Sequence, residues 1–165
     1  MSRPAYVSTG ELDTFHFHDA CLEGIKKVDQ GLVWTVSALN VTQSNSLNPD
    51  GPDQCVDATI LFEDGKIAEL IFPAYVHSTS KAKGVLVSER KVPPQQFDEV
   101  LGTLLSKPCY ILELEELNKT SDGYSARFFL SGSPYCLVIT VRFRSVTVTW
   151  DAFQGPAWYV NWPPM

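Results

Sequence analysis

The chain has 165 residues, a length expected for one domain spanning 1–165, and with 44% hydrophobic and 19% charged residues it is too apolar for disorder. Its net charge of −6 repels phosphate backbones, which argues against nucleic acid as a partner and favours a basic surface on a partner protein. No CxxC pair, cofactor motif or run of 18 apolar residues occurs. We therefore expect a cytoplasmic protein with reduced thiols, no cofactor and no membrane span.

The first predicted strand is FHFHDA, residues 15–20. Successive side chains of a strand point to opposite faces, so Phe15 and Phe17 share one face and His16 and His18 share the other. We expect the phenyl rings to face the core and the imidazoles to face solvent.

A metal site is the alternative for this histidine pair. Two imidazoles one residue apart on a strand can reach one ion, and zinc commonly takes nitrogen ligands. Such an ion needs a third ligand, and the only other histidine, His77, lies in a polar segment. Nearby carboxylates could serve, but no spacing singles one out: Asp13, Asp53 and Asp57.

The next predicted strand, GLVWTVSAL, alternates in the same way. Leu32, Trp34, Val36 and Ala38 are predicted to share its buried face. The following segment, TQSNSLNPDGPDQ (residues 42–54), is rich in Ser, Asn, Pro, Asp and Gly, and we expect an exposed loop.

A second apolar run, CVDATILF, ends at Phe62 and is followed by EDGK. Asp64-Gly65 predicts a tight hairpin turn, because glycine tolerates a positive φ. The return strand would carry Ile67 and Leu70.

A basic segment, SKAKGVLVSERK, stands out in this acidic chain through Lys81, Lys83, Arg90 and Lys91. It could bind a phosphate or an acidic partner. The favoured interpretation is a solvated loop whose cations discourage edge-to-edge strand pairing.

One segment predicts a helix, at about residues 94–106. Its apolar residues recur at helical spacing, and prolines stand near both ends. The apolar set is Phe97, Val100, Leu101, Leu104 and Leu105.

The segment ILELEEL alternates acidic and apolar residues after the helix. Glu113 and Glu115 are predicted to form a solvent-facing row opposite Leu112 and Leu114. Two neighbouring carboxylates could instead divide acid and base roles in catalysis.

The order of segments indicates an internal duplication. Gly31 with LVWTVSALN is matched by Gly123 with YSARFFLSG, and a cysteine-led strand follows each. Phe62 and Phe143 each come seven residues after the leading cysteine. We predict a mainly β (α+β) fold: an antiparallel sheet of two meander halves with one helix packed on a face. Chance similarity of strand patterns is the alternative to true duplication.

The C-terminal segment PAWYVNWPP contains Trp158, Tyr159 and Trp162. Exposed tryptophans can stack on sugars or anchor a protein partner. We expect instead that the tail folds back and seals one end of the core, since burying one such ring contributes about 2–3 kcal/mol.

Three short motifs resemble those of small bacterial β-rich domains of unknown function, some related to immunity proteins of toxin systems. They are the aromatic-x-aromatic-His-Asp strand at 15–20, the Phe-x-Asp-Gly turn at 62–65 and the Val-Thr-Val-x-Trp-like strand at 146–150. The resemblance implies an antiparallel β fold and a binding role, and it transfers no catalytic residues.

The favoured function is therefore that of a non-enzymatic cytoplasmic protein that binds another protein with a basic surface, as an immunity protein would. Two alternatives stay open: a metal-dependent hydrolase using His16 and His18, and a small-ligand or sugar-binding module using the C-terminal tryptophans. A homodimer through sheet edges or the aromatic tail is also compatible with the sequence.

Overall fold

The computed structural model describes residues 3–77 and 84–163, so Lys81 and Lys83 of the basic segment lie outside the described residues. One α-helix, α1 (Phe97–Leu105), and two 3₁₀ turns (Leu12–Thr14 and Pro94–Gln96) occur within these ranges. The strands are β1 (Tyr6–Thr9), β2 (Phe15–His16), β3 (Ala20–Val28), β4 (Gly31–Val41), β5 (Gln54–Glu63), β6 (Lys66–Phe72), β7 (Tyr75–His77), β8 (Val85–Val87), β9 (Arg90–Lys91), β10 (Tyr110–Thr120), β11 (Gly123–Ser131), β12 (Cys136–Phe143), β13 (Ser145–Trp150) and β14 (Gly155–Pro156).

The predicted mainly β fold with one helix is confirmed. Every strand pair is antiparallel, and the large sheet has the order β1-β13-β5-β4-β3-β10-β11-β12-β6-β9, with β2 beside β4 and β14 beside β5. Strands β7 and β8 form a separate two-stranded sheet. None of the helices in the described ranges has the length and apolar character that crossing a bilayer requires.

The predicted Asp64-Gly65 hairpin is wrong in its pairing. The tight turn exists, with Asp64 at a φ of 53° and the Gly65 amide donating to the Phe62 carbonyl at 2.9 Å. However, β5 pairs with β4 and β13, whereas β6 pairs with β12 and β9. The turn residues control only the local change of direction, and the chain passes from one half of the sheet to the other.

The two halves repeat the same strand order. Strands β3, β4 and β5 form one meander, and β10, β11 and β12 form the other. Each meander then exchanges its next strand with the other half: β6 adds to β12, and β13 adds to β5. The segments matched in the sequence thus occupy equivalent places in the two halves.

The centre of this repeat is a point where backbones approach closely. A Cβ on Gly31 would lie 2.2 Å from the Phe62 carbonyl oxygen, and a Cβ on Gly123 would lie 2.2 Å from that of Phe143. The rings of Phe62 and Phe143 are in contact, with centroids 5.1 Å apart. The exchanged strands β6 and β13 therefore each begin next to a close backbone contact at which only glycine fits.

A single hydrophobic core joins the halves. Trp34 of β4 lies 4.8 Å from Phe128 of β11 between ring centroids, although two strands separate β4 and β11 in the sheet order. The sheet must therefore fold over on itself. The helix contributes Leu101 and Leu104 to the same core.

Ala38 does not share the buried face with Leu32, Trp34 and Val36, contrary to the sequence prediction. A register irregularity falls between Val36 and Leu39, and Ala38 is exposed with a φ of 54°. The bulge shifts the alternation by one residue, so Leu39 is the next buried side chain.

The loop at 42–54 is only partly exposed, which corrects the prediction. Asn45 is 1% exposed, and its amide donates to the Ser8 hydroxyl at 3.0 Å and the Thr14 hydroxyl at 2.9 Å. The Glu11 carboxylate accepts from Ser8 Oγ at 2.6 Å and from the Ser46 amide at 3.0 Å. Polar contacts hold this loop against the first 3₁₀ turn, which composition alone does not indicate.

We expect Gly31→Ala and Gly123→Ala each to lower the free energy of unfolding by about 2–4 kcal/mol, because the new Cβ meets a backbone carbonyl. Gly102→Ala is the matched control: it lies in α1 with no heavy atom within 4 Å of the added Cβ, and we expect stabilisation of about 0.5–1 kcal/mol. Urea denaturation measures all three. Equal stability of the three variants would contradict this account of the crossing points.

Glu11 should stabilise the fold at neutral pH and lose this contribution in acid. Partial burial alone would raise its pKa, but hydrogen bonds from Ser8 and Ser46 lower it below the ordinary value. A lowered folded-state pKa stabilises the fold above the ordinary pKa of about 4.3, and this contribution is lost as the pH falls through the folded-state value.

We therefore expect Glu11→Gln to lose less stability than wild type when the pH is lowered from about 7 to about 3. Thermal unfolding at both pH values is the measurement. Glu23→Gln, an exposed carboxylate on β3, should keep the wild-type pH dependence. If Glu11→Gln kept the wild-type pH dependence of stability, the hydrogen-bonded carboxylate of Glu11 would contribute nothing to that dependence.

Candidate functional site

The histidine pair and the aromatic tail come together in one cleft, which we call the aromatic cleft. Its volume is about 610 Å³. From the sequence alone, the histidine pair and the aromatic tail were two separate candidates. The cleft is lined by His16, His18, Thr42, Asp53, Leu112, Glu113, Trp158 and Tyr159.

His16 ends strand β2, and His18 lies in the turn that leads to β3, so the predicted strand at 15–20 is shorter than expected. Phe15 and Phe17 are 6% and 3% exposed and belong to the core, whereas His16 and His18 are exposed, as the sequence pattern predicted. Strand β2 pairs with the end of β4. His18 Nδ1 donates to the Leu112 carbonyl at 3.1 Å, which orients its ring towards β10.

The C-terminal tail is fixed along the first residues of β5. Strand β14 pairs with Cys55 and Gln54, and the Ala157 amide donates to the Asp53 carbonyl at 2.8 Å. Ala157 is 2% exposed, so the tail does fold back. These backbone bonds position the residues that follow.

The prediction that the tail rings seal the core is wrong for both tryptophans. Trp158 is 46% exposed and Trp162 is 63% exposed. Their rings meet nearly at right angles with centroids 5.2 Å apart, and Trp158 meets Tyr159 at 5.4 Å. Turns at the end of the chain direct these side chains outward, and Ala157 takes the buried place instead.

Asp53 links the loop to the tail. Its carboxylate accepts a short hydrogen bond from the Tyr159 hydroxyl and another from the Gln43 amide at 3.2 Å. Burial and this contact with the Asp53 carboxylate raise the pKa of Tyr159, so the phenol remains a donor. Of the three carboxylates considered from the sequence, Asp53 is the one that lines the cleft with the histidines.

Within the described part of the chain, the two histidines do not share a metal-binding cluster with other side chains. Their ring centroids lie 6.3 Å apart. Among residues 3–77 and 84–163, no group of three or more His, Cys, Asp or Glu side chains is placed to hold an ion. Asp19 Oδ2 lies 3.4 Å from His18 Nε2 and is the nearest acidic contact of this pair.

Glu113 and Glu115 of β10 are both exposed, and Leu114 packs against the core, as the sequence predicted. Two bulges on β10 leave Ile111, Leu114 and Leu117 opposite the buried residues of β11. Glu113 pairs with Phe129 and is exposed in the aromatic cleft, whereas Glu115 lies in the second bulge and forms an ion pair with Arg127 at 3.1 Å. The two carboxylates therefore have separate environments.

A larger cleft of about 1110 Å³ lies where the turns of the two halves meet. Its charges have both signs, and part of them is neutralised internally. Arg144 binds Asp64 at 2.9 Å and Glu63 at 3.1 Å, and Lys27 lies 3.5 Å from Asp98. The Arg144 pairs connect the two crossing turns, and the Lys27 pair connects β3 to α1.

Of the basic segment, Arg90 and Lys91 form β9 at the edge of the sheet. Lys91 pairs with Glu69 at 3.0 Å, and the Arg90 guanidinium lies 4.8 Å from the centroid of the Phe72 ring. Both cations are engaged by neighbours, which fits a protected edge strand.

No protein-family model, curated protein or solved structure matches the chain.

We expect Asp53→Ala to loosen the tail, because Tyr159 and Gln43 both lose their acceptor. Hydrogen exchange at the amides of Val160 and Trp162 should accelerate about tenfold, the equivalent of one charged hydrogen bond. Asp50→Ala, an exposed carboxylate of the same loop, is the control and should leave exchange unchanged. Unchanged exchange in Asp53→Ala would mean that the backbone bonds alone hold the tail.

Proposed function

We propose that this protein is a non-enzymatic cytoplasmic binding protein, which recognises another protein through the aromatic cleft in the manner of the immunity proteins that its motifs resemble. The observation that carries the proposal is the exposure of Trp158 beside His16 and His18, with the exposed Trp162 packed against Trp158. Exposed tryptophans on a fixed backbone are the residues that most often dominate protein interfaces.

The immobilisation of these rings supports a binding role. Pairing of β14 with β5 and the bond between Tyr159 and Asp53 hold the segment in place before any partner arrives. Ordering a loose segment costs free energy on association, so a fixed segment binds more tightly with the same contacts. The net charge of −6 would steer the protein towards a basic partner.

The experiment is affinity capture from the native host with three baits: wild type, the double variant Trp158→Ala/Trp162→Ala, and Tyr124→Ala. Tyr124 is the matched control because it is 38% exposed and lines the other cleft. We expect one protein to be captured by wild type and by Tyr124→Ala but not by the double variant.

Calorimetry with the purified partner should then show at least a hundredfold weaker binding for the double variant, since one such side chain contributes about 2 kcal/mol or more. Equal affinity of all three baits would refute a role of this cleft. Circular dichroism of the double variant checks that Trp34 and Trp150, which are buried, still pack.

A sugar or other small ligand is the second candidate, favoured by the position of Trp158 next to Thr42 and two carboxylates in the same cleft. Saccharides stack on exposed indole faces. Tryptophan fluorescence against a glycan panel distinguishes the two. Quenching that disappears in Trp158→Ala would support the sugar-binding alternative over a protein partner.

A further inference from the structure

We infer that the aromatic cleft receives a cationic side chain, arginine or lysine, of the partner protein. This inference rests on the function proposed above and specifies the chemistry of the contact.

The charge of the cleft favours a cation. Among residues 3–77 and 84–163, no lysine or arginine lines it, and the carboxylates that do are those of Asp53 and Glu113. Asp53 accepts two hydrogen bonds, from Tyr159 and Gln43. Glu113 has no hydrogen-bond or ion-pair partner within the described part of the chain, although it is exposed at the cleft wall. An anionic group would be repelled there.

The rings provide the second half of such a site. Trp158 stands nearly perpendicular to Tyr159, at 87°, and to Trp162, at 74°. His16 also meets Tyr159 nearly at right angles, with centroids 5.2 Å apart. The faces of indole and phenol rings attract cations, most strongly when the site also excludes water. Ring faces beside a free carboxylate match an alkyl-borne guanidinium or ammonium group.

The larger cleft lacks this combination. Its lining includes Lys66 and Arg142 as well as Asp29 and Asp122, so its charge does not select one sign. The aromatic cleft, whose described lining has carboxylates and no cationic side chain, is therefore the better site for a cationic group of a partner.

The test uses nuclear magnetic resonance of the four tryptophan indole N–H groups. The probe is arginine capped as Nα-acetyl methylamide, and the matched control is the same derivative of citrulline, which has nearly the same shape without the charge. We expect the arginine probe to shift the signals of Trp158 and Trp162, while those of the buried Trp34 and Trp150 stay in place. Citrulline should shift none of them.

Glu113→Gln should weaken binding of the arginine probe about three- to tenfold. Glu23→Gln should leave this binding unchanged, because Glu23 lies outside the cleft. Equal shifts with citrulline, or no effect of Glu113→Gln, would overturn the inference. Choline is a third probe: binding at least tenfold tighter than arginine would identify a free organic cation as the ligand and would also overturn it.

These outcomes separate the inference from the proposed function. If the tryptophan variants lose the partner but the arginine probe does not bind, the function stands and the cation contact is wrong. If the arginine probe binds but no partner depends on the tryptophans, the cleft recognises cations and the protein-binding function is wrong.

Discussion

The fold depends on two close backbone approaches. At Gly31 and Gly123 the chain passes so near to the carbonyls of Phe62 and Phe143 that no side chain fits. At these contacts the strand that follows each meander joins the other half of the sheet. The ion pairs of Arg144 with Asp64 and Glu63 connect the two crossing turns. The halves therefore share one core and cannot be separated without breaking both exchanges.

The aromatic cleft lies where the two halves differ. Strand β2, the loop at 42–54 and the tail after Gly155 add to the first half, without a counterpart in the described part of the second. The loop and the tail are held by polar contacts of Asn45 and Asp53. The repeated frame thus supplies stability and, on β10, Glu113, whereas the additions supply the exposed rings and Asp53.

One limit of sequence prediction follows from a bulge. Alternation correctly placed Phe15 and Phe17 inside and Glu113 and Glu115 outside, although β2 itself ends at His16. It misplaced Ala38, because the bulge in β4 shifts the buried position to Leu39. The turn at Asp64-Gly65 was recognisable from local backbone preferences, but the choice of strand partners was not, since it depends on distant residues.

The sequence by itself determined the β-rich class, a helix within residues 94–106, the buried phenyl rings and the order of similar segments, because these depend on residue spacing and local conformational preference. Only the tertiary structure decided that the histidines, Glu113 and the tail would meet in one cleft. Their meeting requires the pairing of β14 with β5 and of β2 with β4, contacts between residues as far apart as Cys55 and Gly155. Such contacts arise from the packing of the whole chain and leave no periodic trace along it.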